Sequence, residues 1–544
     1  MQYKVCSISH RPKMNESLPK SPTTLEDFTK KWAHSVLEDY WNKAELDSNK
    51  VEVKHVTAKL NGLQGLLSTT YIVDVTYEYE EEENIKSIFV KIPLREDGLN
   101  TYHEANLREL NMFTEILPKL QEYLVDKCTD ILQLPIPELI YCNYTGDGIR
   151  DMFILENLLK ADFQPFTDSL RTKEYLQSCL ECIAQLHGTG LAYMFSRQDK
   201  EKGEKESEKP GIPDAKSTFP ALNEQSQIQD ILQDKENKKS IRRNYLPFLK
   251  FLETKDPNLS NFTTYLAKID KNLIKILQRA GKCGTENLVT LCHGDAKPDN
   301  FLFRRIEIEL DDLSCEGLEA ILIDWQQTFL GNVTNDLMWL LPTFLEQADS
   351  SLEFALDYYF IQLKNVLASF ERTLEDFNLP DNSQEFQKIL RSGFTLEFFS
   401  SIIINPILKM ADPAGLRRWH RKVLRHEDRF KNGAKTRAPA DPDTDNILHS
   451  PQFGKFANLY CKVAHILGVF PQIGIINVEI VKENMFRDEG EKDEEEDNED
   501  VYDDEEAELS EEEEEKEKQV ENTSVFSRLY SWVIGLLGLC NKKN

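Results

Sequence analysis

Apolar positions recur at helical spacing in TTLEDFTKKWAHSVLEDYW (23–41), behind Thr residues of the kind that start helices, and the pattern predicts an opening helix. From Val51 to Leu94 the period falls to two, which predicts three antiparallel strands: VEVKHVTAKL, STTYIVDVTYEYE and KSIFVKIPL, the first two parted by the Gly-containing break NGLQG. Helical spacing returns in ANLRELNMFTEILPKL, two further strands are expected in PELIYCNY and DMFILENL, and a long helical region follows. Sheet, helix, sheet and then helices is the order of a small lobe feeding a larger one. The predicted class is α+β, with an antiparallel-sheet N-lobe over 23–157 and a mainly helical C-lobe over 158–480.

Two stretches break that pattern. Residues 198–245 contain KEKGEKESEKPG and little that is apolar, and 411–448 contain the basic run LRRWHRKVLRHEDRFKNGAKTR; both read as polar insertions in the C-lobe. Residues 1–22 read as a flexible, polar N-terminus. Of the net charge of −29, the segment from Arg487 to Lys518 holds −17, with 21 acidic residues against 4 basic ones. An acidic, disordered tail over 487–520 is therefore expected, able to meet a basic partner, while the rest of the chain is only mildly acidic. No clustered positive field is available to neutralise a phosphate backbone, so nucleic acid is not an expected partner. The apolar segment SVFSRLYSWVIGLLGLC (524–540) is shorter than the roughly 20 residues a spanning helix needs. It reads as a piece that lies in a membrane interface or docks back on a lobe. Ten cysteines are scattered without the spacing of a disulfide scaffold, and no apolar leader follows Met1, which points to the cytoplasm. The close pair Cys179 and Cys182 has no second cluster to complete a metal site.

The residues that carry chemistry lie in LVTLCHGDAKPDNFLF (288–303) and AILIDWQQTF (320–329). Each brings an apolar strand to an acidic residue, Asp295 in the first and Asp324 in the second, and Asn300 follows Asp295 by five positions. Phosphoryl transfer asks the protein mainly for positioning and charge neutralisation. One Asp can orient and deprotonate an acceptor hydroxyl, while an Asn oxygen and a second carboxylate hold Mg²⁺, which prefers oxygen ligands. The spacing resembles the catalytic loop and metal-binding Asp of kinases. Such a reading requires a strand Lys near the ATP phosphates, which Lys91 in IFVKIPL supplies, and a helix acid to pair with it. Glu109 fills that place, with Glu104 and Glu115 as alternatives. Gly62, Gly65 and Ser68 in NGLQGLLSTTY would form the loop over the phosphates, and the backbone near Glu156 and Asn157 would meet adenine. His293 is expected to brace the catalytic loop, and His187 to be a satisfied core histidine. Trp325, Trp339, Phe398 and Phe399 are expected in the core rather than around a ligand.

Together, HGDAKPDNFLF, LIDWQQT, NDLMWLL, Lys91 and the helix ending in ILP resemble the ecdysteroid kinase-like family, relatives of choline kinases and aminoglycoside phosphotransferases, over roughly residues 25–470. The resemblance implies the protein-kinase-like two-lobed fold, use of ATP and Mg²⁺, and transfer of the γ-phosphate to a hydroxyl of a small molecule, a steroid being one candidate acceptor. It implies Asp295 as catalytic base, Asn300 and Asp324 as metal ligands, Lys91 and Glu109 as the phosphate-positioning pair, and Asp336 as a brace of the catalytic loop. Asp299 departs from the family pattern by adding a charge beside the metal site. A choline or ethanolamine kinase-like enzyme and a catalytically inactive pseudokinase scaffold are the alternative readings.

Overall fold

A computed structural model describes residues 19–61, 68–93, 103–128, 133–146, 149–202, 218–222, 249, 266–280, 288–310, 313–345 and 352–399, together with single positions between 461 and 480. Gly62 and Gly65, the 411–448 insertion, the acidic segment and the apolar segment at 524–540 lie outside the described residues. The described residues fall into two compact units, one built on parts of 1–225 and 284–390, the other on parts of 226–283 and 391–536.

The first unit opens earlier than residue 23: Ser21 is buried, its N–H donating to Ile149 O at 2.9 Å and its hydroxyl to Asp151 O at 2.8 Å. The expected opening helix is broken in two. A short turn over Leu25–Asp27 closes on the Asp27 carboxylate, and the helix proper, α1 (Lys30–Lys43), begins behind Thr29, whose hydroxyl accepts from Trp32 N. Its buried residues Trp32, Ala33, Val36, Leu37 and Trp41 sit three and four apart and so form one stripe.

That stripe covers a five-stranded antiparallel sheet of β1 (Glu52–Leu60), β2 (Ser68–Tyr79), β3 (Glu82–Pro93), β4 (Leu139–Asn143) and β5 (Met152–Glu156), in spatial order β1-β2-β3-β5-β4. The period of two decides the faces. Tyr71, Val73, Val75 and Tyr77 of β2 and Ile88, Val90 and Ile92 of β3 enter the core with α1. Lys91 therefore stands on the other face of β3, in register with Thr70 of β2 and Phe153 of β5.

Between β3 and β4 the single predicted helix is divided as α2 (His103–Asn111), a wide π turn (Met112–Ile116) and α3 (Leu117–Lys127). Pro118 gives the physical reason: it has no N–H to offer Thr114 O, and its ring would press on that carbonyl if the α geometry ran straight through.

The helical region begins with α4 (Lys173–Lys202), which continues four residues beyond the expected start of the polar insertion at 198. Short β6 (Gln164–Pro165) pairs with a long hairpin that follows later in the chain. Helix α5 (Leu273–Ala280), in the second unit, buries Leu273, Ile274, Ile276 and Leu277, and Asn272 just ahead of it donates to Asn477. Strand β7 (Val289–Cys292) passes close under α4: a Cβ placed on Gly190 would lie 2.5 Å from Thr290 Oγ1, so this crossing requires glycine. The hairpin β8 (Phe301–Leu310) and β9 (Leu313–Leu322) follows, then β10 (Phe329–Asn332), which pairs with β7. Helices α6 (Thr334–Leu345), α7 (Leu352–Ser369) and α8 (Ser383–Phe399) complete the described elements. Trp325, Phe398 and Phe399 are fully buried, as expected of core aromatics, whereas Trp339 is half-buried. Among the described residues, no helix is long and apolar enough to cross a membrane.

Of the two tryptophans in the α1 stripe, Trp41 is the fully buried one. Trp41→Ala is expected to cost about 3–5 kcal/mol of unfolding free energy, read as a lowered urea midpoint with an unchanged slope.

Candidate active site

Three short segments converge because of strand register. In the β8–β9 hairpin Phe301 faces Leu322, which places Asn300 against Ile323 at the open end: Ile323 N donates to Asn300 O at 3.0 Å. Asp324 is the next residue, so the two motifs that lie far apart along the chain become neighbours. His293 makes the second attachment, its Nε2 facing Ile323 O at 3.0 Å. That oxygen can only accept, so Nε2 carries the proton and Nδ1 is the acceptor for the N–H of Asp295 at 3.4 Å. Burial holds the His293 imidazole below its usual pKa, despite the opposing pull of Asp336, Asp295 and Asp324.

The loop from β7 turns at Gly294, and two features there require glycine: its φ is +82°, and a Cβ on it would stand 2.1 Å from Gln327 O. Asp336, in the first turn of α6, holds this turn from below. Its Oδ2 accepts from His293 N at 2.7 Å and from His187 Nε2 at 3.0 Å, and its Oδ1 accepts from Gly294 N at 2.8 Å. His187 is in turn bonded through Nδ1 to the Tyr359 hydroxyl at 2.8 Å. Burial opposes the charge of Asp336, but the His187 bond and the two imidazoles prevail and keep its carboxyl below the ordinary range. His187, Asp336 and Cys292 lie close enough for a metal, yet hydrogen bonds already account for all three, Cys292 Sγ donating to Gly331 O.

Asp295 is 14% exposed and is gripped on one oxygen. Its Oδ2 accepts from Asn300 Nδ2 at 2.9 Å and from Lys297 Nζ at 2.7 Å, while Oδ1 is buried with no hydrogen-bond partner among the described residues. Asn300 Nδ2 also donates to Asp295 O at 2.8 Å. The amide nitrogen is thus turned to Asp295, and the amide oxygen is the end left for a cation. Asp299 faces solvent.

Opposite this loop, Lys91 joins Glu109 Oε1 at 2.8 Å and Asp324 Oδ1 at 2.6 Å. Asp324 itself sits at φ +68°, a left-handed conformation that Asp tolerates better than most residues. One ammonium is shared by two carboxylates, so one of the acids must yield. Glu109 is 1% exposed against 40% for Asp324, and its Oε2 has no partner among the described residues. Burial pushes the Glu109 carboxyl up to about 7, Lys91 pulling it back and Asp324 adding to the rise. Asp324 goes the other way: desolvation is outweighed by Lys91, with help from Lys297 and His293, and its pKa is lowered. Lys91 stays charged, since the two carboxylates overcome the effect of burial.

Helix α2 is tied to the Asp324 loop by more than this triad. Gln326 Nε2 donates to Asn106 Oδ1 at 2.7 Å and Arg108 Nε donates to Gln326 O at 2.9 Å, both inside the protein. Of the alternatives to Glu109, Glu115 is half-buried and pairs with Lys119 instead. Ser68 is buried at the start of β2, in register with Pro93. Glu156 lies at the end of β5 with its N–H on Glu138 O and its carboxylate accepting from Glu138 N, so its amide is not a free donor for adenine. Asn157 caps the next turn and donates to Ser87. Cys179 and Cys182 are buried free thiols, raised well above the ordinary pKa by burial.

Two consequences for stability can be measured. Glu109 titrates near 7 when folded and near 4.5 when unfolded, so the native state holds an extra proton between those values and stability falls as pH rises from about 4.5 to about 7. Glu109→Gln should remove that slope, gaining on the order of 3 kcal/mol relative to wild type between pH 5 and pH 8 in urea titrations. Asp336→Ala strands two backbone N–H groups and His187 at once, and is expected to cost about 3–5 kcal/mol by the same assay.

Lys297 and the Asn106–Gln326 clamp are contacts that sequence spacing did not single out. For Lys297 a signal exists: it stands two positions from Asp295 across the buried Ala296, the spacing that puts two side chains on one side of an extended segment.

Known proteins bear on this geometry as follows. No curated protein matches the chain. Among solved structures it is similar to an ethanolamine kinase of Plasmodium vivax, at 9% identity and a TM-score of 0.34, covering 84% of this chain and 93% of that one. It is also similar to a GDP complex of an aminoglycoside 2′-phosphotransferase mutant, at 12% identity and a TM-score of 0.32, covering 75% of this chain and 100% of that one. The model of the ecdysteroid kinase-like family matches residues 63–372, more than half of the chain, a range that includes Lys91, Glu109, Asp295, Asn300, Asp324 and Asp336. On this match the chain belongs to the ecdysteroid kinase-like family.

Proposed function

We propose that the protein transfers the γ-phosphate of ATP to a hydroxyl group of a small metabolite, with Asp295 as general base. The observation that carries this reading is the division of labour within one carboxylate. Oδ2 of Asp295 is fixed by Asn300 and Lys297, and Oδ1 is buried without a partner among the described residues. An unpartnered buried carboxylate oxygen is costly unless a substrate group completes it, and a hydroxyl proton is the natural complement.

The residues around it suit Mg²⁺. The amide oxygen of Asn300 and the carboxylate of Asp324 are hard oxygen donors, and they are brought together by the Ile323–Asn300 backbone bond. Mg²⁺ bound there would supply charge neutralisation for the phosphates. Lys91, held by Glu109, presents its ammonium on the face of β3 turned away from the α1 core, the position of a cation for the α- and β-phosphates. His293 and Asp336 act only through the backbone of the loop. They fix where Asp295 stands and touch no reacting atom.

The acceptor is an alcohol. A steroid is the first candidate because of the family's description, with choline and ethanolamine as the other class. The test is ADP release by the full-length protein with Mg²⁺ and ATP across ecdysteroids, other sterols, choline, ethanolamine and aminoglycosides. Acceptor-dependent turnover is expected from the wild type, falling about 10²–10⁴-fold in Asp295→Asn. Nucleotide binding without turnover for any acceptor would favour a scaffold that retains the site but not the reaction. Asp324→Asn should keep the local backbone, since Asn also accepts a positive φ, while raising the Mg²⁺ concentration needed for half-maximal rate at least tenfold.

A further inference from the structure

Asp324 supplies one of the two oxygen ligands proposed above for Mg²⁺, and its backbone is held in an unusual shape. It stands at φ +68° and ψ +69°, a left-handed conformation that a residue with a Cβ keeps only where its surroundings dictate it. Lys91 draws the carboxylate by charge, but a flexible stem of four methylenes does not set a backbone dihedral. The constraint comes from the residues on either side. Ahead of Asp324, Ile323 is fixed to the 293–300 segment, its N–H on Asn300 O and its carbonyl on His293 Nε2. Behind it, Gln326 is fixed to α2: its carbonyl accepts from Arg108 Nε at 2.9 Å, and its amide donates to Asn106 Oδ1 at 2.7 Å. Asn106 lies three positions before Glu109, on the same side of the helix.

For stability alone this amide pair is a poor choice. Gln326 is 3% exposed and Asn106 fully buried, and only the oxygen of Asn106 is used: Nδ2 has no hydrogen-bond partner among the described residues. A buried donor left in that state is costly, and Asn is one of the weaker helix formers. Two apolar side chains of similar shape would avoid both penalties, since replacing both partners of a buried hydrogen bond is close to neutral. What apolar contact lacks is direction. A hydrogen bond between two planar amides fixes a distance and an angle, and here it fixes the residue two places after Asp324 against the helix that carries Glu109.

We infer that Asn106 and Gln326 are positioning residues for the cation: their bond holds the backbone after Asp324 in the conformation that presents its carboxylate as a ligand, and it serves that purpose rather than the stability of the fold. This rests on the phosphotransferase reading above, in which Asp324 is a cation ligand, and adds to it the pair that sets the ligand's place. Both amides act through the backbone of residues 324–326. They stand to the cation as the outer partners of a metal ligand do, whose loss weakens metal binding about 10–100-fold.

The experiment compares three full-length proteins: wild type, the apolar pair Asn106→Leu/Gln326→Met, and the exchanged pair Asn106→Gln/Gln326→Asn, which restores two amides at unchanged combined length. The urea midpoint is measured for each, together with Kd for ADP by calorimetry over a series of Mn²⁺ concentrations. The apolar pair is expected to keep a urea midpoint no lower than wild type and a Kd for ADP without Mn²⁺ within about threefold. The Mn²⁺ concentration that gives half of the tightening of ADP should rise about 10–100-fold in the apolar pair, and the exchanged pair should recover part of that loss. A Mn²⁺ dependence in the apolar pair that matches wild type overturns the assignment. A lowered urea midpoint in the apolar pair also overturns it, because the amides would then serve the fold. If Mn²⁺ does not tighten ADP binding to the wild type at all, the reading of Asp324 as a cation ligand fails and the assignment with it, an outcome distinct from the other two.

Discussion

A carboxylate with no access to water holds the His293–Asp295 turn in place. Asp336 is fully buried, and each of its oxygens is used: two consecutive backbone N–H groups, from His293 and Gly294, and the imidazole of His187 point at it. A charge placed so deep is tolerated only when fully hydrogen-bonded, and here the donors that satisfy it are also the turn that aims Asp295. Folding stability and loop geometry are therefore one quantity at this point. The turn cannot relax to a neighbouring conformation without leaving a buried charge short of donors, and Gly294, with Gln327 O where a side chain would begin, admits no other residue.

Charge arithmetic governs the rest of the site. Glu109, Asp295 and Asp324 face two lysines, so three ionised carboxylates would leave the site with one negative charge in surplus. Burial distributes that surplus unevenly. The more deeply placed Glu109 is driven toward protonation, whereas Asp324, more exposed and touched by Lys91, is kept ionised. Ionisation goes where an oxygen ligand for a cation is useful, and the proton goes where a neutral group can still support Lys91.

Much of this was legible in the sequence because it is local. The alternation in β1 to β3 follows from a sheet with one face under α1, and the stripe of α1 follows from the same burial seen from the helix. Asp295, Asn300 and Asp324 were visible because each stands directly after an apolar strand or at a fixed interval from a residue that does. What escaped has no local signature. Asn106 and Gln326 are 220 positions apart and meet only through tertiary packing, and neither is unusual in its own segment. The division of the helix over 103–127 was available in principle from Pro118, but an apolar pattern that continues on both sides of a proline hides the change of turn. Strands β8 and β10 were not foreseen either. The first carries alternating charges, Arg304 and Glu307 among them, on a hairpin, and the second has four residues, too few to show a period.

The bonds between α2 and the segment after Asp324 have a mechanical meaning. A helix that carries one member of an ion pair can serve as a lever if it is free to swing, taking the acid away from its lysine and switching the site off. Here the lever is pinned: a side-chain amide pair and an arginine on a carbonyl fasten α2 to the same loop that holds Asp324, so the two halves of the Lys91 triad travel together. Such a joint behaves as a jig rather than a hinge. The arrangement of acids around Lys91 is thereby set once, when the chain folds.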